Sequence, residues 1–175
     1  DKSQWTLRED IKDEDDLWNN FFKILTNNNL DKLANNPLTA DEKDMIKAKI
    51  IHSTFYDAAI AINGANGEYH IQVPRDNEIL DLLVINNNDI AGGSSVYEVV
   101  HQIKLHRRNK IDQDRRTDVT LLINGLPIIH IELKDQHHPT AEAFNQIQKY
   151  INEQKFNGIF SNIQMFVITN GTDTK

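Results

Sequence analysis

The feature that most constrains this chain is the dipeptide Asn124-Gly125, set between TDVTLLI on one side and LPIIHIELK on the other. Asn-Gly readily takes positive φ at both central positions of a tight turn, so residues 117–123 and 127–134 are predicted to pair as an antiparallel hairpin. Side chains alternate between faces along a strand. In the second strand Ile129, Ile131 and Leu133 form one set, expected in the core. Ile128, His130, Glu132 and Lys134 form the other, and Asp118 opens the first strand. Whether Asp118 shares the face of Glu132 depends on the turn. A strict two-residue turn pairs Ile123 with Leu126 and leaves Asp118 opposite Ile131. A three-residue connection, a bulge or a bend at Asp118 brings Asp118 to Glu132.

Around this hairpin the chain reads as helices followed by strands. Leu17, Trp18, Phe21, Phe22 and Leu25 recur at helical spacing, predicting an amphipathic helix over residues 14–26. Thr39 with Glu42 three residues on forms a capping-box signature for a helix reaching about His52. A shorter helix is expected over residues 54–62, stopped by Asn63-Gly64. Residues 68–73, 79–85 and 96–105 are β-rich and separated by turn-forming residues. Pro139-Thr140 opens a helix to about Lys155 with Ala143, Ile147, Tyr150 and Ile151 on one face, and residues 163–169 read as a buried final strand. The expected fold is α/β (α+β), a mixed central sheet flanked by helices. Residues 1–63 form an N-terminal helical element and residues 64–175 the core.

A Glu and a Lys two residues apart project side by side from one strand. If Asp118 joins them, two carboxylates converge on a hard-oxygen site suited to Mg²⁺. Such an ion stabilises charge on a phosphodiester and acidifies a water, and Lys134 could orient that water or neutralise a developing oxyanion. The bland alternative is a strand-capping Asp118 and a solvent-facing Glu132/Lys134 pair. Gln146 and Tyr150 are an i, i+4 pair that could support the site or bridge a phosphate, or simply edge an amphipathic helix. His130 is read as a ligand or, preferably, a packed or supporting histidine; the adjacent His137 and His138 diverge, which disfavours a metal role.

The net charge of −7 does not favour a uniformly basic surface. Yet Lys104, Arg107, Arg108, Lys110, Arg115 and Arg116 cluster just before Asp118, against only Asp112 and Asp114. That run is a solvated loop or a phosphate-binding element. No Walker-type G-x-x-x-x-G-K-[ST] run, no G-x-S-x-G and no cysteine occur, which excludes an ATP site of that type, a nucleophile elbow and thiol chemistry. No apolar run approaches the ~20 residues of a membrane span, and the polar start DKSQWTLRED is no secretory signal. A cytoplasmic protein is expected, and the missing initiator Met suggests a piece of a longer chain.

Asp118, Glu132-Leu133-Lys134 and the Q-x-x-x-Y of Gln146 and Tyr150 together resemble the PD-(D/E)xK nucleases of the RecB-like branch. With DIAGGSSVYEVVHQI, TDVTLLINGLPIIHIELK, AFNQIQKY and QMFVITNGTDTK in order, the chain resembles the N-terminal region of the R, or motor, subunit of type I restriction–modification enzymes. Thr117 stands where the motif has Pro. Nucleases of this kind often carry a further acidic residue on an early helix, for which the resemblance makes Glu42 a candidate. The resemblance implies that Asp118 and Glu132 bind catalytic Mg²⁺, that Lys134 assists the attacking water, and that Gln146 and Tyr150 support the site near double-stranded DNA. It further implies cleavage of both strands away from the recognition site after ATP-driven translocation, with ATP bound only by motor domains outside this chain. Methylation (M) and specificity (S) subunits are the implied partners. The competing reading is a non-catalytic module that docks a motor on DNA or on its partner subunits.

Overall fold

The computed structural model describes residues 5–89, 95–105 and 115–175. It opens with a short strand, β1 (Trp5–Leu7), and helix α1 (Glu14–Asn28). Asp13 caps α1 by accepting from the Asp16 amide at 3.0 Å, and Glu14, Asp15 and Asp16 set negative charge against the helix N-terminus. The helix buries Leu17, Trp18, Phe21, Phe22, Ile24 and Leu25. Truncating the fully buried Phe21 would cost about 3–5 kcal/mol. Asn29 then ties α1 to the sheet-forming half: its side chain accepts from the Leu83 amide and donates to the Leu83 carbonyl, both at 2.9 Å.

Helix α2 (Ala40–Ile50) carries the expected capping box, with Thr39 and Glu42 bonding each other's backbone amides. Helix α3 (Phe55–Asn63) is capped by Thr54 and stops at Gly64, φ +55°. Strands β2 (Glu68–Arg75) and β3 (Glu78–Asn86) form a separate antiparallel hairpin against α1, α2 and α3.

The central sheet has five strands: β1, β4 (Tyr97–His101), β7 (Val119–Ile123), β8 (Leu126–Leu133) and β9 (Met165–Thr169), in that spatial order. β1 runs parallel to β4 and β8 parallel to β9; the other neighbours are antiparallel. Between β4 and β7 lies a small antiparallel pair, β5 (Lys104–Leu105) with β6 (Arg115–Arg116). Helix α4 (Thr140–Asn152) connects β8 to β9 through a 3₁₀ turn at Gly158–Asn162. The architecture is α/β with a mixed sheet, as expected.

Three boundaries differ from expectation. The predicted run over 96–105 breaks at Gln102, whose φ of +53° turns the chain out of the strand. Helix α4 ends at Asn152, because Gln154 (φ +55°) and the Lys155 amide bonding the Tyr150 carbonyl close it. The last strand starts at Met165, since residues 158–162 are spent on the 3₁₀ turn, and it is half-buried or exposed rather than buried.

The face assignment of β8 is reversed. His130 and Glu132 are fully buried, whereas Ile129 and Ile131 are half-buried and Leu133 is 45% exposed. Alternation separates two sets but does not say which one meets the helices. Here α4 and the aromatic cluster of Phe156 and Phe160 pack on the His130 side. The opposite face presents Leu7, Val99, Leu121, Ile129 and Met165 as one cross-strand row, none of them buried among the core side chains.

Candidate active site

The β7–β8 hairpin positions the site. Asn124 and Gly125 take φ of +50° and +79°, the two-residue turn with Ile123 opposite Leu126. The buried Asn124 pins the turn, donating to the Val84 carbonyl and accepting from the Val96 amide, both at 2.8 Å. A side chain at Gly125 would sit 2.8 Å from the Phe21 Cα, so α1 packs directly on the turn. A strict ladder from this turn would set Asp118 opposite Ile131. Instead the register shifts: Leu122 faces Pro127 but Leu121 faces Ile129, leaving Ile128 as an extra residue. Pro127 has no N–H for a regular ladder, and the Ile128 carbonyl accepts from the Gln164 amide at 2.8 Å. From Val119 opposite Ile131, one further step brings Asp118 level with Glu132.

Asp118 is held from both sides. Its carbonyl accepts from the Gln102 amide, and its Oδ2 accepts from the Leu133 amide at 2.8 Å. Burial, and then the neighbouring Glu132 carboxyl, push the Asp118 carboxyl above its ordinary range; the Leu133 amide and Lys134 act against that shift. Thr117, fully buried, bonds Ile103 twice: its amide donates to the Ile103 carbonyl and its hydroxyl accepts from the Ile103 amide. A proline there could make neither bond, so Thr117 anchors the strand entry by a different device.

Glu132 is fully buried, with Lys134 Nζ 3.2 Å from Oε1 and His130 Nε2 3.3 Å from Oε2. Lys134 Nζ also donates to Gln146 Oε1 at 2.6 Å, and Gln146 Nε2 donates to the Tyr150 hydroxyl at 2.9 Å. The Tyr150 hydroxyl reaches the Arg116 carbonyl at 3.4 Å. Burial raises the Tyr150 phenol, with Glu132 adding to it, so the hydroxyl keeps its proton and remains a donor. The helix pair Gln146/Tyr150 is thus joined to Glu132 through Lys134.

The other sequence candidates have partners of their own or stand outside the Asp118–Glu132–Lys134 grouping. Glu42 is occupied by Arg75, at 2.7 and 2.8 Å, and by the Thr39 amide. Arg115 is ion-paired with Glu153 and lies over the Tyr150 ring. Lys104 and Arg116 are exposed and face each other in the β5–β6 pair. Arg107, Arg108 and Lys110 lie outside the described residues. His138 pairs with Glu142 in an exposed turn, and His137 does not join it. Two partners are not among the sequence candidates: Thr120, whose hydroxyl lies 3.4 Å from His130 Nδ1, and the Arg116 carbonyl. Only the bulged register points to Thr120.

Among the described residues no group of three or more His, Asp or Glu side chains is placed to share one metal ion. The two-carboxylate pair Asp118/Glu132 still fits Mg²⁺, which accepts one or two carboxylates and keeps several waters. Among the same residues no helix is long and apolar enough to cross a membrane.

The family model for the N terminus of the type I restriction enzyme R protein matches residues 1–175. The endonuclease subunit of a type I restriction enzyme from Staphylococcus aureus (strain COL) is 32% identical over 165 residues, covering 94% of this chain and 17% of that protein. The corresponding Staphylococcus saprophyticus subunit is 32% identical over 166 residues, with the same coverage. The EcoprrI endonuclease subunit of Escherichia coli is 52% identical over 62 residues, 34% of this chain and 20% of that protein. The chain therefore spans about a sixth of the staphylococcal relatives' length. It belongs to the family formed by the N-terminal region of type I restriction enzyme R subunits.

Proposed function

We propose that this chain is the nuclease domain of a type I restriction enzyme, of PD-(D/E)xK type, hydrolysing phosphodiester bonds of double-stranded DNA with Mg²⁺. The observation that carries the reading is the bulged hairpin, which sets Asp118 level with Glu132 while Lys134 sits on Glu132. Asp118 and Glu132 would hold the cation, whose positive charge opposes the charge gathering on the phosphodiester oxygens. Lys134, tied to Gln146, would orient the attacking water or neutralise the developing oxyanion. Gln146 and Tyr150 keep that ammonium in place. Lys104 and Arg116, with Arg107, Arg108 and Lys110, would meet phosphates beside the site.

A buried carboxylate beside a second, half-buried one is costly to keep unless something is gained from it, and an apolar pair of the same volume would pack as well. That favours chemistry over a purely structural role. In the whole enzyme, cleavage would follow ATP-driven translocation by domains outside this chain, away from the recognition site. The methylation and specificity subunits would be its partners, in the cytoplasm. The second reading, a non-catalytic docking module, draws on the apolar sheet face but leaves the Asp118/Glu132/Lys134 grouping without a role.

The test is Glu132→Ala and Lys134→Ala in the full-length subunit assembled with its partners. DNA cleavage is expected to fall at least 100-fold (on the order of the loss of an electrostatic catalytic group) with ATP hydrolysis retained. Undiminished cleavage in both variants would rule out the site.

A further inference from the structure

Glu132 lies inside a polar chain that the proposed chemistry does not by itself require. Thr120, His130 and Glu132 are all fully buried, on the covered face of the sheet. Thr120 and His130 are direct partners across β7 and β8, and Glu132 follows His130 on the same face. The imidazole packs against Phe156 and Phe166, with ring centroids 5.2 and 6.1 Å away. Polar groups at that depth are costly unless each one finds a partner.

A carboxylate oxygen only accepts, so in the 3.3 Å contact between His130 Nε2 and Glu132 Oε2 the ring N–H is the donor. The other ring nitrogen, Nδ1, lies 3.4 Å from the Thr120 hydroxyl, which can donate or accept. Lys134 holds the other carboxylate oxygen, Oε1. We infer that His130, braced by Thr120, is a positioning residue that holds the Glu132 carboxylate toward Asp118; this rests on the proposed metal-site reading. Without the histidine, one carboxylate oxygen would be buried and unpaired, and the group would turn onto Lys134. A packing-only histidine would need buried partners too, so the two roles differ in whether Mg²⁺ binding changes when the histidine is lost.

The experiment compares His130→Leu, His130→Gln, Thr120→Val and Glu132→Ala. It measures Mg²⁺ binding to the full chain by calorimetry, the Mg²⁺ midpoint of DNA cleavage by the assembled enzyme, and metal-free thermal unfolding. Loss of a hydrogen-bond partner behind a metal-ligating carboxylate typically weakens metal binding about 10–100-fold. His130→Leu is expected to raise the Mg²⁺ midpoint by about that factor, with cleavage largely restored at saturating Mg²⁺. His130→Gln, whose amide can still donate, is expected to recover most of the loss. Thr120→Val should weaken Mg²⁺ binding in the wild-type background and add nothing to His130→Leu. If His130→Leu unfolds at lower temperature but keeps the wild-type Mg²⁺ midpoint, the residue only packs and the inference is overturned. Equal midpoint shifts for His130→Gln and His130→Leu would overturn it as well. Unchanged Mg²⁺ binding in Glu132→Ala would instead overturn the metal-site reading itself, and this inference with it.

Discussion

Two buried carboxylates, Glu42 and Glu132, are treated very differently by their surroundings. Glu42 is gripped by the Arg75 guanidinium and by the Thr39 amide, and Arg75 above all holds its carboxyl down from 4.5 to about 2. A carboxyl lowered on folding stabilises the fold above its unfolded value, and that contribution is lost as pH falls from 4.5 toward about 2. Glu42→Gln should therefore destabilise the chain at neutral pH, on the order of 2 kcal/mol, through the lost charge-assisted bonds. The difference from wild type should shrink as thermal melts are taken from about pH 5 down to about pH 2. A pH-independent difference would show that the pair acts only by packing. Through Arg75, Glu42 links α2 to the β2–β3 hairpin. Glu132, by contrast, has no arginine partner among the described residues: a lysine and a histidine contact its two oxygens, and its carboxyl neighbours that of Asp118.

Among the elements, the hairpin matters most, because its turn is clamped between α1 and β3. Gly125 combines φ +79° with a Cβ position 2.8 Å from the Phe21 backbone. Gly125→Ala should cost about 1–3 kcal/mol from the strained φ alone, more if α1 must move, read as a lowered denaturant midpoint. A neutral substitution would mean that α1 does not press on the turn. Much of this element is legible in the sequence. Asn124-Gly125 announces the turn, and the Thr39/Glu42 capping box of α2 and the Asn63-Gly64 stop of α3 are local signals that a short window contains. The bulge is one of several possibilities, with Pro127 as its only local hint. His130 is packed, as its preferred reading has it, but the face of β8 that is covered runs opposite to expectation, because period-2 alternation carries no sign. Strand β1 and the Gly158–Asn162 turn have no sequence signal of their own: each is short, and each exists through tertiary partners, Tyr97 to Val99 for the strand and the core for the turn. The Gln146/Tyr150 pairing is visible as i, i+4 spacing, but its link to Lys134 depends on how α4 lies on β8.

For the whole molecule, the proposed function requires an acidic chain of net charge −7 to meet a polyanion through a local basic zone. Lys104 and Arg116 are exposed opposite each other, the Arg116 carbonyl meets the Tyr150 hydroxyl, and the sequence between them holds Arg107, Arg108, Lys110 and Arg115. DNA affinity should thus fall steeply with salt, each neutralised phosphate contributing about −0.9 to the log–log slope. Replacing Lys104 and Arg116 together by Ala should flatten that slope by up to about 2, measured by fluorescence anisotropy across a salt series. Salt-independent affinity would contradict a phosphate-binding zone.

Everything proposed for the site depends on Asp118 and Glu132 holding one cation jointly, with Lys134 working beside it. A crystal structure soaked in Mn²⁺, with anomalous data at the manganese edge, would show whether they do. An anomalous peak is expected between the two carboxylates, with oxygen ligands at about 2.1–2.3 Å and Lys134 still on Gln146. A peak elsewhere, or Glu132 turned wholly onto Lys134 with Asp118 unligated in saturating Mn²⁺, would refute the shared site.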